Sequence, residues 1–115
     1  MSLTIYHNPR CSKSRQTLSL IEDAGQAVDI ILYTKSAPSQ AEIKILLEKL
    51  GFDDPRALMR KGEAIYKELG LKNENNPDAL IAAMANHPIL IERPIVVRGA
   101  KAVLGRPPEA VKTLL

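Results

Sequence analysis

Hydrophobic periodicity changes several times along this chain, and each change marks an element boundary. Leu3-Thr4-Ile5-Tyr6 has the alternation and β-branching of a strand. Pro9 prevents its continuation and biases Asn8 to an extended backbone, so a turn must follow. Thr17, Leu18, Ile21 and Ala24 then recur at helical spacing, and Gly25 supplies a C-terminal stop. Val28 to Tyr33 is nearly continuous in apolar residues, which predicts a second strand in the centre of a sheet. Strand, helix and strand in this order predict a βαβ unit with parallel pairing and a right-handed crossover.

The period then stays helical. Ser39 and Glu42 form a capping box ahead of the Ile43, Leu46, Leu47 and Leu50 stripe, and Gly51 ends it. Asp54-Pro55 and Asn76-Pro77 are cap-then-proline pairs, each opening a further helix. A short helix from Glu63 to Leu69 lies between them, stopped by Gly70, and the polar run from Lys72 to Asn76 reads as a loop. Residues 39–86 therefore read as an all-helical insertion. After it, Ile95-Val96-Val97 and Lys101 to Leu104 flank Arg98-Gly99 as a hairpin, and Pro108 opens a last helix buried through Val111, Leu114 and Leu115. The expectation is one α/β domain over residues 1–115, built as βαβ, helical insertion, ββα.

Composition narrows the possibilities. The 115 residues are 45% hydrophobic and 25% charged, as in an ordinary globular domain able to bury a core without staples. No apolar run approaches the roughly 20 residues of a membrane span, and the chain enters a strand with no basic-then-apolar leader. Cytoplasm is the expected location. A net charge of +3 without a dense basic face argues against nucleic acid, and one Phe, three Tyr and no Trp offer no stacking platform.

Candidate chemistry gathers at Cys11, the single cysteine. It falls where the first helix begins, beside Arg10, Lys13 and Arg15. Unpaired N–H groups and the positive end of the helix dipole favour a thiolate there, which makes Cys11 the candidate nucleophile. With Ser14 three residues on and no second cysteine, a redox cycle must borrow its thiol from outside the chain. Arg60, Arg93 and Arg106 each adjoin a backbone break, by Gly62, Pro94 and Gly105-Pro107 respectively. Guanidinium forks at such positions suit a tetrahedral oxyanion. Arg56 and Arg98 read as solvated surface cations. His7 is expected to favour the thiolate through its charge, and His87 to be structural. One cysteine and two distant histidines lack metal-ligand spacing.

The element order resembles the thioredoxin/glutaredoxin fold, and particular residues narrow the likeness. Tyr6-His7-Asn8-Pro9 followed by Cys11, Ser14 and Arg15, then Arg60, then His87-Pro88-Ile89-Leu90-Ile91, Arg93-Pro94-Ile95-Val96-Val97 and Gly105-Arg106-Pro107 resemble the glutaredoxin-linked arsenate reductase (ArsC) family over essentially the whole chain. That resemblance implies that Cys11 attacks arsenate and that Arg60, Arg93 and Arg106 bind the oxyanion. It implies that His7 and Arg15 support the thiolate and that Pro94 is the cis-proline facing the cysteine. Glutathione is the implied co-substrate, with a glutaredoxin clearing its mixed disulfide on Cys11 and no tightly bound cofactor. Lys13 beside the nucleophile departs from the small or neutral residues usual there. Two other functions fit the architecture: a glutathione-dependent thiol-disulfide reductase, and an Spx-type transcription regulator binding RNA polymerase. The two-cysteine switch of the latter is missing, since Ser14 stands at the second position.

Overall fold

A computed structural model describes residues 2–115 as two compact units, one of residues up to Ser36 with Arg93–Leu115, the other Ala37–Glu92. The first holds strands β1 (Leu3–Tyr6), β2 (Val28–Ile31), β3 (Ile95–Arg98) and β4 (Lys101–Leu104), helix α1 (Ser12–Asp23) and a closing 3₁₀ segment, Pro108–Leu114. Sheet order is β2-β1-β3-β4. β1 runs parallel to β2, with Ile5 opposite Ile30, and antiparallel to β3, with Ile5 opposite Val96. β3 and β4 form the expected hairpin. Leu3, Ile5 and Val96 pack from the sheet against Ile21 of α1 and Val111 and Leu114 of the closing segment. Full burial of each such side chain contributes about 1.5–3 kcal/mol.

Two expectations about these elements are corrected. β2 is an edge strand: among the described residues it pairs with β1 alone, and Ile30 is 49% exposed. The returning β3 takes the other side of β1, so β1 is central. Asp29, an acidic side chain within the run and exposed, fits an edge better than a centre. The closing segment is 3₁₀ rather than α. Pro108, Val111 and Leu114 are its buried residues; spaced three apart, they share one face at about three residues per turn.

The helical unit contains α2 (Gln40–Leu50), α3 (Ala64–Glu68) and α4 (Pro77–Asn86), with 3₁₀ turns at Pro55–Leu58, Leu71–Asn73 and Pro88–Leu90. Its caps follow the local chemistry. Ser39 Oγ accepts the Glu42 N–H at 3.1 Å, Asp54 Oδ1 that of Arg56 at 2.9 Å and Asn76 Oδ1 that of Asp78 at 3.0 Å. Gly51, at φ 74°, ends α2 in the left-handed region that a side chain would resist. Ile43, Leu46 and Leu47 of α2 pack with α4, which buries Leu80, Ile81 and Met84.

Neither Arg56 nor Arg98 is a merely solvated cation. Arg56 Nη2 donates to the Leu71 carbonyl at 2.9 Å and to that of Glu74. Arg98 Nη1 donates to the Leu114 carbonyl at 2.8 Å. Each therefore ties its guanidinium to backbone carbonyls 15 or more residues away in sequence.

Candidate functional site

The loop from β1 to α1 is organised by its own backbone. His7 N–H bonds the Ile31 carbonyl at 2.8 Å, extending the β1–β2 ladder by one rung. Asn8 then folds the turn: its side-chain oxygen accepts the Arg10 N–H and its carbonyl accepts the Cys11 N–H, each at 3.0 Å. Cys11 lands as the N-cap of α1, with extended φ −93° and ψ 123°. An ordinary N-cap is Ser, Thr, Asp or Asn, whose oxygen satisfies orphan N–H groups. Here the cap makes no such side-chain bond, and a half-buried sulfur takes the place of the oxygen.

The charge on that sulfur is set by three opposing neighbours. Burial alone would push the Cys11 thiol up. The N–H of Ser14, the Arg93 guanidinium and the N–H of Lys13 outweigh it, and the pKa falls below that of an ordinary cysteine. Arg93 thus arrives from the start of β3 to pair with the beginning of α1.

Arg93 has more to give. Its Nε and Nη1 are buried and have no hydrogen-bond partner among the described residues. Buried donors are almost always paired, so these two nitrogens beside the Cys11 sulfur stand out as able to take an acceptor. Arg106 Nη1 donates to the Arg93 carbonyl at 3.2 Å, tying the loop after β4 to the segment that carries Arg93. The Arg93–Pro94 and Arg106–Pro107 peptide bonds are both cis.

His7 behaves differently from the expectation of a charged supporter. It is buried, and burial followed by the nearby Arg15 charge lowers its pKa against the opposing pull of Glu22. The ring is therefore neutral near pH 7. Its Nδ1 lies 2.6 Å from Ser14 Oγ, and the same oxygen accepts the Asn8 N–H at 3.1 Å. Ser14 Oγ thus joins the loop backbone to the imidazole, accepting the Asn8 N–H while sharing a hydrogen bond with His7 Nδ1. Neutral His7 holds Ser14, and the Ser14 N–H faces the sulfur. Arg15 is exposed and donates from Nη1 to the Pro9 carbonyl at 2.8 Å, bracing the loop from outside.

Behind the cap, Thr17 donates its hydroxyl to the Lys13 carbonyl at 2.8 Å and lies 3.5 Å from the Gly105 carbonyl. Gly105 N–H bonds the Pro94 carbonyl at 2.9 Å. A Cβ at Gly105 would stand 2.3 Å from Thr17 Oγ1 and 2.7 Å from Pro94 Cγ, so only glycine fits. Ser14, Thr17 and Gly105 were given no part in the site by the sequence: Thr17 entered as a helix-face position, and Ser14 and Gly105 only as motif neighbours of Cys11 and Arg106. The N3 position of Ser14 was a usable signal, whereas the Gly105 contact spans 88 residues and left none.

Arg60 belongs to the helical unit. It pairs there with Glu63 at 3.8 Å and Glu92 at 3.9 Å, and its backbone N–H bonds the Leu90 carbonyl at 2.7 Å. Among the described residues no group of His, Cys, Asp and Glu could hold a metal ion, and no helix is long and apolar enough to cross a membrane.

Comparison with known proteins places this geometry. The ArsC family profile matches residues 6–114. An arsenate reductase of Neisseria meningitidis serogroup A is 47% identical, covering 98% of this chain and 97% of its own. An arsenate reductase of Haemophilus influenzae is 48% identical with all of both chains covered. The solved structure of an arsenate reductase from Vibrio cholerae superposes with a TM-score of 0.97 at 53% identity, covering 100% of this chain and 98% of that one. With a thioredoxin-like fold and a match over nearly its full length, the chain belongs to the ArsC family.

Proposed function

We propose that this protein reduces arsenate to arsenite, with Cys11 as nucleophile and glutathione and a glutaredoxin as the source of electrons. The observation that carries the reading is Arg93: it lowers the Cys11 pKa while keeping two buried N–H donors unpaired beside the sulfur. A tetrahedral oxyanion supplies the acceptors those donors lack.

In the first step the Cys11 thiolate attacks As(V), forming an S–As bond as an arsenate oxygen leaves, protonated, as water. Arg93 and Arg106 stabilise the charge on the remaining oxygens. In the second, a glutathione thiolate attacks Cys11 Sγ. The new S–S bond forms as the S–As bond breaks, and its electron pair stays on arsenic, which departs as As(III). Cys11 is left glutathionylated. A glutaredoxin thiolate then attacks the glutathione sulfur and frees the Cys11 thiolate. Arsenic carries the redox change, so the chain needs no flavin or nicotinamide. The cytoplasm, where glutathione is kept reduced, is the compartment that suits this cycle.

Support comes also from relatives named arsenate reductase at 47–48% identity over full length. The test is NADPH oxidation on adding arsenate to the protein with glutathione, glutaredoxin and glutathione reductase. Wild-type protein should give an arsenate-dependent rate and Cys11→Ser none. No arsenate-dependent rate from the wild type would overturn the reading.

A further inference from the structure

α1 starts with charges that its own dipole opposes. The positive end of a helix favours acidic side chains in the first turn, and Glu42 of α2 and Asp78 of α4 follow that rule. α1 has no acid there; it carries Lys13 in its first turn and Arg10 just before the Cys11 cap. Both side chains are exposed, and neither has an ion-pair partner among the described residues. Arg15 is exposed as well, and its bond to the Pro9 carbonyl keeps its charge on the same loop. No Asp or Glu occurs before Glu22. The acids of this unit lie elsewhere: Glu22 and Asp23 at the far end of α1, Asp29 on β2, and Glu109, which shares a groove with Arg15. The thiolate does not depend on these three cations. Against burial, its pKa is lowered by the Ser14 N–H, Arg93 and the Lys13 N–H. Helix stability is thus given up for charges that the sulfur itself does not use, and such departures from local rules collect at functional positions.

We propose that the side chains of Arg10 and Lys13, with Arg15, form an electrostatic collar that selects the reactants of Cys11 by charge, drawing in anionic electrophiles ahead of neutral ones. The thiolate and the Arg93 guanidinium offset one another, so the collar sets the sign of the field that an approaching molecule meets. Like charges around a site raise the local concentration and the association rate of an opposite charge, and salt weakens the effect. The collar works before contact, so it acts on the encounter and not on the bond-making step. One part rests on the arsenate-reductase reading: there the anion is the arsenate oxyanion, delivered toward Nε and Nη1 of Arg93, which lack a partner among the described residues. Lys13, whose side chain neither the thiolate nor the fold employs, has its purpose in this field.

The test compares two alkylating agents on Cys11, iodoacetate, an anion, and iodoacetamide, which is neutral. Their rate ratio cancels any change in thiolate fraction and reads the local field alone. At low salt, Arg10→Gln combined with Lys13→Gln should lower the iodoacetate-to-iodoacetamide ratio about threefold, the size of the attraction of two unit charges for an anion across about 10 Å of water. Salt of about 0.5 M should erase the difference between variant and wild type. Arg10→Lys combined with Lys13→Arg keeps both charges and should keep the wild-type ratio. In turnover, the double glutamine variant should lower arsenate kcat/KM at low salt by about fivefold to tenfold, the same attraction acting on a dianion, with kcat unaltered. An alkylation ratio that the double glutamine variant leaves unchanged at low salt overturns the collar. A ratio that falls while arsenate kcat/KM stays at the wild-type value overturns the steering of arsenate. A ratio that falls as expected in a protein whose wild type shows no arsenate turnover overturns the proposed reaction and keeps the collar.

Discussion

His7 Nδ1 lies 2.6 Å from Ser14 Oγ with both residues buried, so the imidazole is linked through Ser14 to the helix start that carries Cys11. Removing the hydroxyl should leave the Asn8 N–H and His7 Nδ1 unsatisfied. Ser14→Ala is therefore expected to cost about 1–3 kcal/mol of stability, read from urea unfolding. It should also slow Cys11 alkylation at neutral pH, because the N–H that faces the sulfur is no longer held in place. A Ser14→Ala protein with wild-type unfolding midpoint and alkylation profile would remove Ser14 from this role.

The depressed His7 pKa makes a prediction about pH. An unfolded histidine titrates near pH 6.5, and the folded one takes its proton at lower pH. Between those values the unfolded chain binds the extra proton, so stability falls as pH drops below about 6.5 and levels off once His7 titrates in the folded state. Thermal unfolding between pH 7.5 and 5 should show the decline, and His7→Asn should flatten its histidine-dependent part. A wild-type Tm that rises on acidification through this window contradicts a neutral buried His7.

Under the proposed reaction Arg93 would have two duties, and a pair of substitutions separates them. Arg93→Ala removes a cation and a hydrogen bond from the sulfur, so the midpoint of iodoacetamide alkylation against pH should move upward. The same change removes the donors proposed for the oxyanion and should lower arsenate turnover by roughly 10²–10³-fold. Arg93→Lys keeps the charge without the planar fork. It should retain most of the low thiol pKa and still lose turnover. Equal loss of both properties in Arg93→Lys would argue against the fork.

Close packing behind the cap is equally testable. Gly105→Ala places a Cβ 2.3 Å from Thr17 Oγ1 and 2.7 Å from Pro94 Cγ. The expected cost is about 1–3 kcal/mol, with α1 displaced relative to the start of β3 and Arg93 drawn off the sulfur. Combining it with Thr17→Ala should recover part of that loss, a coupling that a double-mutant cycle of unfolding free energies measures. Strict additivity would mean that the contact is not what excludes a side chain.

Arg60 stands on the family resemblance, and within its own unit it is compensated by Glu63 and Glu92. Arg60→Lys is predicted to raise the arsenate KM while leaving the alkylation profile of Cys11 as in the wild type. An unchanged arsenate KM would remove Arg60 from the oxyanion site.

Much of the fold is legible because local rules and tertiary packing agree. Asn8-Pro9 breaks the strand, Ser39, Asp54 and Asn76 cap their segments, and Gly51 terminates α2. What was misjudged depends on partners far away in sequence. β2 looks central by its apolar run, yet sheet position is decided by which side of β1 the β3 strand takes; Asp29 was the one local hint. The closing segment reads as α by habit, although the 108, 111, 114 spacing already has the shorter period. Arg56 and Arg98 look like surface cations until the carbonyls of Leu71, Glu74 and Leu114 come to them. At the candidate site, the loop and the helix start that carry Cys11 could be read locally. The neutrality of His7 could not, because burial and the nearness of Arg15 set it.

In the proposed reaction arsenate makes Cys11 the acceptor of a glutathione thiol. Mass spectrometry of the intact protein after incubation with arsenate and glutathione, with no glutaredoxin present, tests it most directly. One glutathione on Cys11 is expected per arsenite released, absent when arsenate is omitted and absent in Cys11→Ser. Arsenite formed without the adduct, or an adduct that forms equally well without arsenate, would contradict it.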